Sequence, residues 1–249
     1  MFSPYILLFC SLLHVQGLSI QNENILLDDN IQLFEGDIAV RRDQLGRNAY
    51  LNAPKWPNGI LPYEIDVNGG YTQDQRNLIL QSMKRIEDQT NNCIRFVQKT
   101  SADRTWIKIV NGQGCWSYFG KPFSNGFQEL RLERPGCLYQ NTIIHELLHA
   151  VGFAHEQSRP DRDGHVNIHW ENIQAGQDYN FQSYSQGEVQ LHSPYDIRSI
   201  MHYDWQTFSK NGQATLSPKD PNVPKEVMGS ARELTYWDVQ KVKNYYQCG

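Results

Sequence analysis

The sequence predicts an α+β chain: a sheet with helices in its first half, and a largely irregular second half closed by one long helix. Three observations lead there. Alternating or β-branched segments and one strongly amphipathic segment succeed one another from Leu61 to Leu132. After Phe153 the chain turns to Ser, Asp, Gly and Gln, and periodic segments become sparse. A capped, periodic segment returns at Thr235–Tyr246. The 249 residues suffice for one large domain or two small ones. A histidine-bearing helix at the junction of the halves favours a site in a cleft between two lobes.

The chain opens on a processing segment. Tyr5–Val15 is mostly apolar and too short to span a bilayer. Val15 and Gly17 suit the small-residue positions of a signal-peptidase site, which predicts a signal peptide over residues 1–17 and a secreted product. No later stretch is apolar enough to span a membrane. A net charge of −4, with no Lys/Arg run longer than the pair Arg41-Arg42, argues against nucleic-acid binding. Cys10 leaves with the signal. Cys93, Cys115, Cys137 and Cys248 remain, and an even count in a secreted chain favours disulfides, with three pairings open.

Residues 18–47 are polar, acidic at Asp28 and Asp29, and end in Arg41-Arg42-Asp43-Gln44-Leu45-Gly46-Arg47; they read as an exposed, protease-sensitive linker. The prolines and glycines of 48–70 predict irregular structure, with a strand over Leu61–Val67 that starts after Pro62. Thr72–Gln89 is a helix: Thr72 and Gln75 form a capping box, and Ile79, Met83 and Ile86 form a stripe. Strands are expected at Ile94–Val97, Trp106–Val110 and Phe127–Leu132, with a Gly-rich turn region around Cys115. A further helix starts near Asn141 or Thr142, either able to cap it. The last helix starts at Thr235-x-x-Asp238 and aligns Val239, Val242 and Tyr246.

Residues 145–156 carry the chemistry. His145 and His149 stand at i and i+4 and project from one helix face, with Glu146 beside them. Gly152 can adopt a left-handed conformation, end the helix and turn His155 back to the same point. Three neutral imidazoles bind zinc at about 2.0–2.1 Å and leave one position open. Two other readings compete: histidines on the polar face of an amphipathic helix, and a structural zinc. The first makes the placement of Gly152 and His155 a coincidence. A structural site is normally closed by four ligands and has no use for Glu146.

The extended run His145-Glu146-x-x-His149-x-x-Gly152-Phe153-x-His155-Glu156-x-x-Arg159-x-Asp161-Arg162-Asp163 resembles the astacin family of metzincin zinc endopeptidases. Ser199-Ile200-Met201-His202-Tyr203 resembles that family's Met-turn, and the likeness extends from about Asn48 to Cys248. It implies a two-lobed metzincin-type fold, with a twisted, mostly parallel N-terminal sheet. It also implies one Zn2+ per subunit held by His145, His149 and His155, with Glu146 as general base. Tyr203 would be a displaceable ligand that hydrogen-bonds the oxyanion, and Met201 an apolar floor under the metal.

The resemblance further implies a propeptide over 18–47 and a protease domain over 48–249. Arg47-Asn48-Ala49 is similar to the family's maturation site, so a trypsin-like protease would free Asn48 to dock near Glu156. Phe34-Glu35-Gly36-Asp37 resembles a propeptide motif in which the aspartate, here Asp37, takes the open zinc position. The cysteines would pair as Cys93–Cys248 and Cys115–Cys137. Phe127–Leu132 would be a cleft-rim edge strand that binds extended substrate. Arg162 or another basic residue would favour acidic residues after the scissile bond. The chain ends one residue after Cys248, so a minimal, monomeric, single-domain form is expected, of the kind that includes hatching and digestive enzymes; residues 48–60 lack the cysteine pair often seen in the hatching subgroup. The expected partners are protein or peptide substrates and the activating protease. The alternative is a catalytically silent secreted zinc-binding protein of the same fold.

Overall fold

The computed structural model describes residues 30–41, 54–187, 189 and 191–248. The signal peptide, the Arg47–Asn48 junction and the rest of 18–47 lie outside the described residues.

Seven strands form the main sheet. They are β1 (Ile31–Phe34), β2 (Ile38–Arg41), β3 (Ile60–Ile65), β4 (Arg95–Gln98), β5 (Thr105–Val110), β6 (Cys115–Tyr118) and β7 (Gly126–Leu132), in the order β1-β2-β6-β7-β5-β3-β4. The pairs β2–β6, β7–β5, β5–β3 and β3–β4 are parallel, and β1–β2 and β6–β7 antiparallel. Helices α1 (Gln73–Gln89) and α2 (Gln140–Val151) complete this lobe. Ile79, Met83 and Ile86 of α1 share one core with Leu61, Ile107, Ile109, Leu130 and Leu132 of the strands and Ile143, Ile144, Leu147 and Leu148 of α2.

The capping box at the start of α1 is present: Thr72 Oγ1 accepts from the Gln75 N–H, and Gln75 Oε1 accepts from the Thr72 N–H. It satisfies two amides that the first helical turn leaves without partners.

The second lobe has little regular structure. Short 3-10 turns surround a two-stranded antiparallel ladder of β8 (Val166–Ile168) and β9 (Leu216–Pro218). Its own core holds Val166, Ile173, Phe181, Leu216 and Met228. Helix α3 (Tyr236–Tyr246), started by the Thr235–Asp238 capping box, returns Val242 to the core of the first lobe. The disulfides are Cys93–Cys248 and Cys115–Cys137. The first ties the end of α3 to the segment before β4, and the second ties the start of β6 to the approach to α2. Among the described residues, no helix is long and apolar enough to cross a membrane.

Several expectations need correction. Residues 31–41 form a strand–turn–strand hairpin rather than an exposed linker: Ile31, Ile38, Ala39 and Val40 are buried. The polar composition of 18–47 as a whole hid this short alternating hairpin. β3 starts at Ile60 and includes Pro62. The turn region around Cys115 contains β6, whose Cys-Trp-Ser-Tyr run is too short to show a period. The 127–132 strand is not a rim: β7 lies between β6 and β5, and β6 is the strand that takes β2. Tyr139, not Asn141 or Thr142, precedes α2, with no side-chain cap.

Candidate active site

Helix α2 positions the first two histidines. Ile143, Ile144, Leu147, Leu148, Ala150 and Val151 are all buried, so nearly its whole circumference is packed and its axis is held. It stops at Gly152, which has φ 116° and donates its N–H to the Leu148 carbonyl at 3.0 Å. A Cβ at Gly152 would stand 3.2 Å from the Tyr245 ring, a second reason for glycine there. The turn returns His155 to the helix face.

The three imidazoles converge. His145 Nε2 lies 3.1 Å from His149 Nε2 and 3.1 Å from His155 Nε2. Asp37 joins them: Oδ2 is 3.3 Å from His145 Nε2 and 3.3 Å from His155 Nε2, and Oδ1 is 3.4 Å from His149 Nε2. Donor atoms about 2.0–2.1 Å from a tetrahedral zinc stand about 3.3–3.4 Å apart. The four donors therefore fit one zinc ion. Each histidine also meets an oxygen at Nδ1, which leaves Nε2 for the metal: Ile200 O for His145 at 2.8 Å, Phe153 O for His149 at 2.7 Å, and Glu35 Oε2 for His155 at 2.8 Å.

Electrostatics follow from burial and this crowding. Burial holds His149 down to about 4 and so keeps it neutral. Burial opposes charge on His155 too, but Asp37 and Glu35 outweigh it and raise the ring to about 9; a cation at Nε2 would compete for that site. Asp37 is pulled well below the usual carboxylate range, because the histidines overcome its desolvation. Burial, then repulsion from Asp37, pushes Glu146 well above its ordinary value. Glu146 Oε2 is buried and has no hydrogen-bond partner among the described residues. A carboxylate left so beside the histidines fits a group that takes a proton from water.

A tight turn presents Asp37. Glu35 (φ 51°) and Gly36 (φ 87°) join β1 to β2, and positive φ at both residues suits the twist of a hairpin. The Glu35 carboxylate also accepts from Tyr184 Oη at 2.6 Å, and Tyr203 Oη donates to the Glu35 carbonyl at 2.5 Å. Tyr203 stacks edge-on against His155, with ring centroids 4.7 Å apart. Met201 is buried in the main core, and its carbonyl accepts from the Glu156 N–H at 2.9 Å.

Glu156 already has partners. Its oxygens accept from Lys241 Nζ at 2.5 Å, Arg159 Nη1 at 3.1 Å and the Asp196 N–H at 2.7 Å. Asn48 lies outside the described residues. Arg162 is buried and donates to Asp163 and to the Gln157 carbonyl. Sequence reasoning missed Tyr184, Glu35 as a partner of His155, and the carbonyls of Ile200 and Phe153. Backbone acceptors leave no trace in residue type, and Tyr184 stands in a stretch without a period.

Comparison with known proteins agrees with this geometry. Residues 48–247 match the peptidase family described as Astacin. The chain is 37% identical over 236 residues to Astacin-like metalloprotease toxin 1 of Loxosceles intermedia, covering 94% of this chain and 83% of that protein. It is 36% identical over 239 residues to Blastula protease 10 of Paracentrotus lividus; the match covers 92% of this chain but spans only 38% of that longer relative. The solved structure of High choriolytic enzyme 1, a hatching enzyme zinc-protease from Oryzias latipes, superposes with a TM-score of 0.69 at 38% identity, over 79% of this chain and 94% of that one. Two histidines on a helix stopped by glycine and a third returned by the turn, in a fold shared with a zinc-protease, are thus matched along most of the chain, which belongs to the astacin family of zinc metalloproteases.

Proposed function

We propose that this protein is a secreted zinc endopeptidase made as a latent precursor, with a signal peptide over residues 1–17, a propeptide over 18–47 and a protease domain over 48–249. The observation that carries this reading is the convergence of His145, His149 and His155 with Asp37 on one point. The substrates are internal peptide bonds of extracellular proteins, and the domain works as a monomer.

His145, His149 and His155 would hold the zinc, which would supply Lewis acidity toward a scissile carbonyl and water. Glu146, buried beside the histidines with one carboxylate oxygen unpartnered among the described residues, takes the proton of the attacking water and passes it to the leaving amine. Tyr203, released from the Glu35 carbonyl, donates its hydroxyl to the developing oxyanion.

Latency rests on the hairpin. Asp37 fills the fourth position at the histidines, and β2 occupies the edge of β6 along which an extended substrate would lie. A trypsin-like protease cutting after Arg47 would free Asn48. A cavity of 380 Å³ lined in part by Glu156, Lys241, Met201 and Tyr245 gives its amine a place to dock.

The test is hydrolysis of casein by the secreted protein before and after trypsin, with and without a zinc chelator. Activity that follows trypsin and disappears with chelator is expected. Correct cleavage with zinc bound and no hydrolysis would mean a silent zinc-binding protein.

A further inference from the structure

The main chain of Tyr203 is gripped from two sides. Its N–H donates to Gln157 Oε1 at 3.1 Å, and its carbonyl accepts from His202 Nδ1 at 2.8 Å. Because His202 Nδ1 faces a carbonyl, it carries the hydrogen of the neutral ring and leaves Nε2 as the acceptor. Tyr195 Oη donates to that Nε2 at 2.8 Å. Gln157 and His202 are both buried, so these bonds lie away from bulk water.

Tyr195 is itself fixed. Its ring stacks on His165, with centroids 4.5 Å apart and planes 4° apart, and the Arg159 guanidinium lies 5.4 Å from its centroid. Its chain neighbours are tied down as well: the Pro194 carbonyl accepts from Arg159 Nη1 at 3.3 Å, and the Asp196 N–H donates to Glu156 Oε1 at 2.7 Å. Burial, then the charge of Glu156, pushes the Tyr195 phenol well above its ordinary value, so it stays a donor.

We propose that Tyr195, acting through His202, is a positioning residue for Tyr203: it holds the Tyr203 peptide so that the hydroxyl meets the oxyanion. The proposal rests on the endopeptidase reading of Tyr203 and adds two residues to it. The Tyr203 ring lies edge-on to His155 and Phe181, with centroids 4.7 and 5.8 Å away, contacts that tolerate sliding. The two main-chain bonds fix where the side chain starts. Its hydroxyl stands at the far end, so a small rotation of the peptide becomes a large displacement of the donor. A donor misplaced by about 1 Å can cost about 10²-fold in rate.

The test is a double-mutant cycle in the trypsin-processed, zinc-loaded protein, read with a quenched peptide. Tyr195→Phe keeps the ring against His165 and loses the hydroxyl. It should lower kcat about tenfold with KM and zinc content unchanged. His202→Asn keeps a donor near the place of Nδ1, loses the acceptor at Nε2, and should lower kcat by a similar factor. In a Tyr203→Phe background, Tyr195→Phe should lower kcat no further, because the hydroxyl that it positions is gone. Equal losses in both backgrounds, a change confined to KM, or a Tyr195→Phe or Tyr203→Phe enzyme at the parental rate overturns the proposal. A binding arm needs no turnover. A phosphinic peptide, whose tetrahedral oxygens stand in for the oxyanion, should bind Tyr195→Phe about tenfold more weakly than wild type. In the Tyr203→Phe background its affinity should not change with Tyr195→Phe. That pattern of binding with no cleavage of any peptide by wild type upholds the positioning role and removes the endopeptidase reading instead.

Discussion

The main-chain carbonyl of Ile200 stands 2.8 Å from Nδ1 of His145, so the loop beneath the metal centre sets the ring of the first ligand. That loop is itself held from the C-terminal helix. Asp238 accepts from the Ile200 N–H at 3.0 Å, from Ser199 Oγ at 2.5 Å and from the Thr235 N–H at 3.0 Å. One buried carboxylate thus starts α3 and orients a zinc ligand.

Asp238→Ala should be costly in two ways. It leaves two buried donors and one half-buried donor unpaired, for a loss of about 2–4 kcal/mol in stability. It also frees the Ile200 carbonyl to drift, which should weaken zinc binding about 10–100-fold. Thermal melts and competition with a metal indicator measure both. Lowered stability with unchanged zinc affinity would show that the loop keeps its place without Asp238.

Glu146→Ala should retain zinc, because the ligands are the three histidines, and lose about 10²–10⁴-fold in kcat. Zinc content by atomic absorption and hydrolysis of a quenched peptide check this. An Ala variant that still cleaves at the parental rate removes Glu146 from the mechanism.

Asp37→Ala should raise the basal activity of the unprocessed chain without fully activating it. Glu35 still holds Tyr184 and His155, and Ile38 and Val40 stay buried. Adding Glu35→Gln should raise activity further, and trypsin should bring wild type and variants to similar rates. Full activity from Asp37→Ala alone would show that the strand contributes nothing to latency.

Tyr71 and Tyr246 predict an alkaline limit. Tyr71 donates its hydroxyl to the Leu132 carbonyl at 2.8 Å, and Tyr246 to the Val151 carbonyl at 2.7 Å. Burial raises both phenols above their ordinary value. A raised pKa means that the fold favours the neutral form. Their contribution is therefore complete below about pH 10 and declines as pH rises further, because the unfolded chain gives up its protons first. The melting temperature should fall above about pH 10, with tyrosinate absorbance appearing together with unfolding. Tyr71→Phe and Tyr246→Phe should each flatten the decline.

The end of α2 at Gly152 was legible in the sequence, as were helix α1 with its cap, helix α3 and the histidine triad. Each is encoded within a few residues: Thr72 and Gln75 are three apart, and His145 and His149 one helical turn apart. The start of α2 was misread, because Asn141 and Thr142 resemble caps while the chain enters the helix at Tyr139 without one. Strand β6 was missed because four residues with one polar member show no period.

By itself the sequence determined which residues can bind zinc, which can move a proton beside it, and where the helix that presents them ends. Those properties depend on side-chain chemistry and on spacing along a helix, both local. Only the tertiary structure decided that the segments 31–34 and 38–41 are strands of the main sheet, that β2 covers β6, and that the Glu35 carboxylate meets His155 across 120 positions of sequence. Strand order and backbone partners arise from contacts between distant segments. A polar segment such as Glu35-Gly36-Asp37 reads as exposed until its partners, Tyr184, Tyr203 and the histidines, are brought to it by packing.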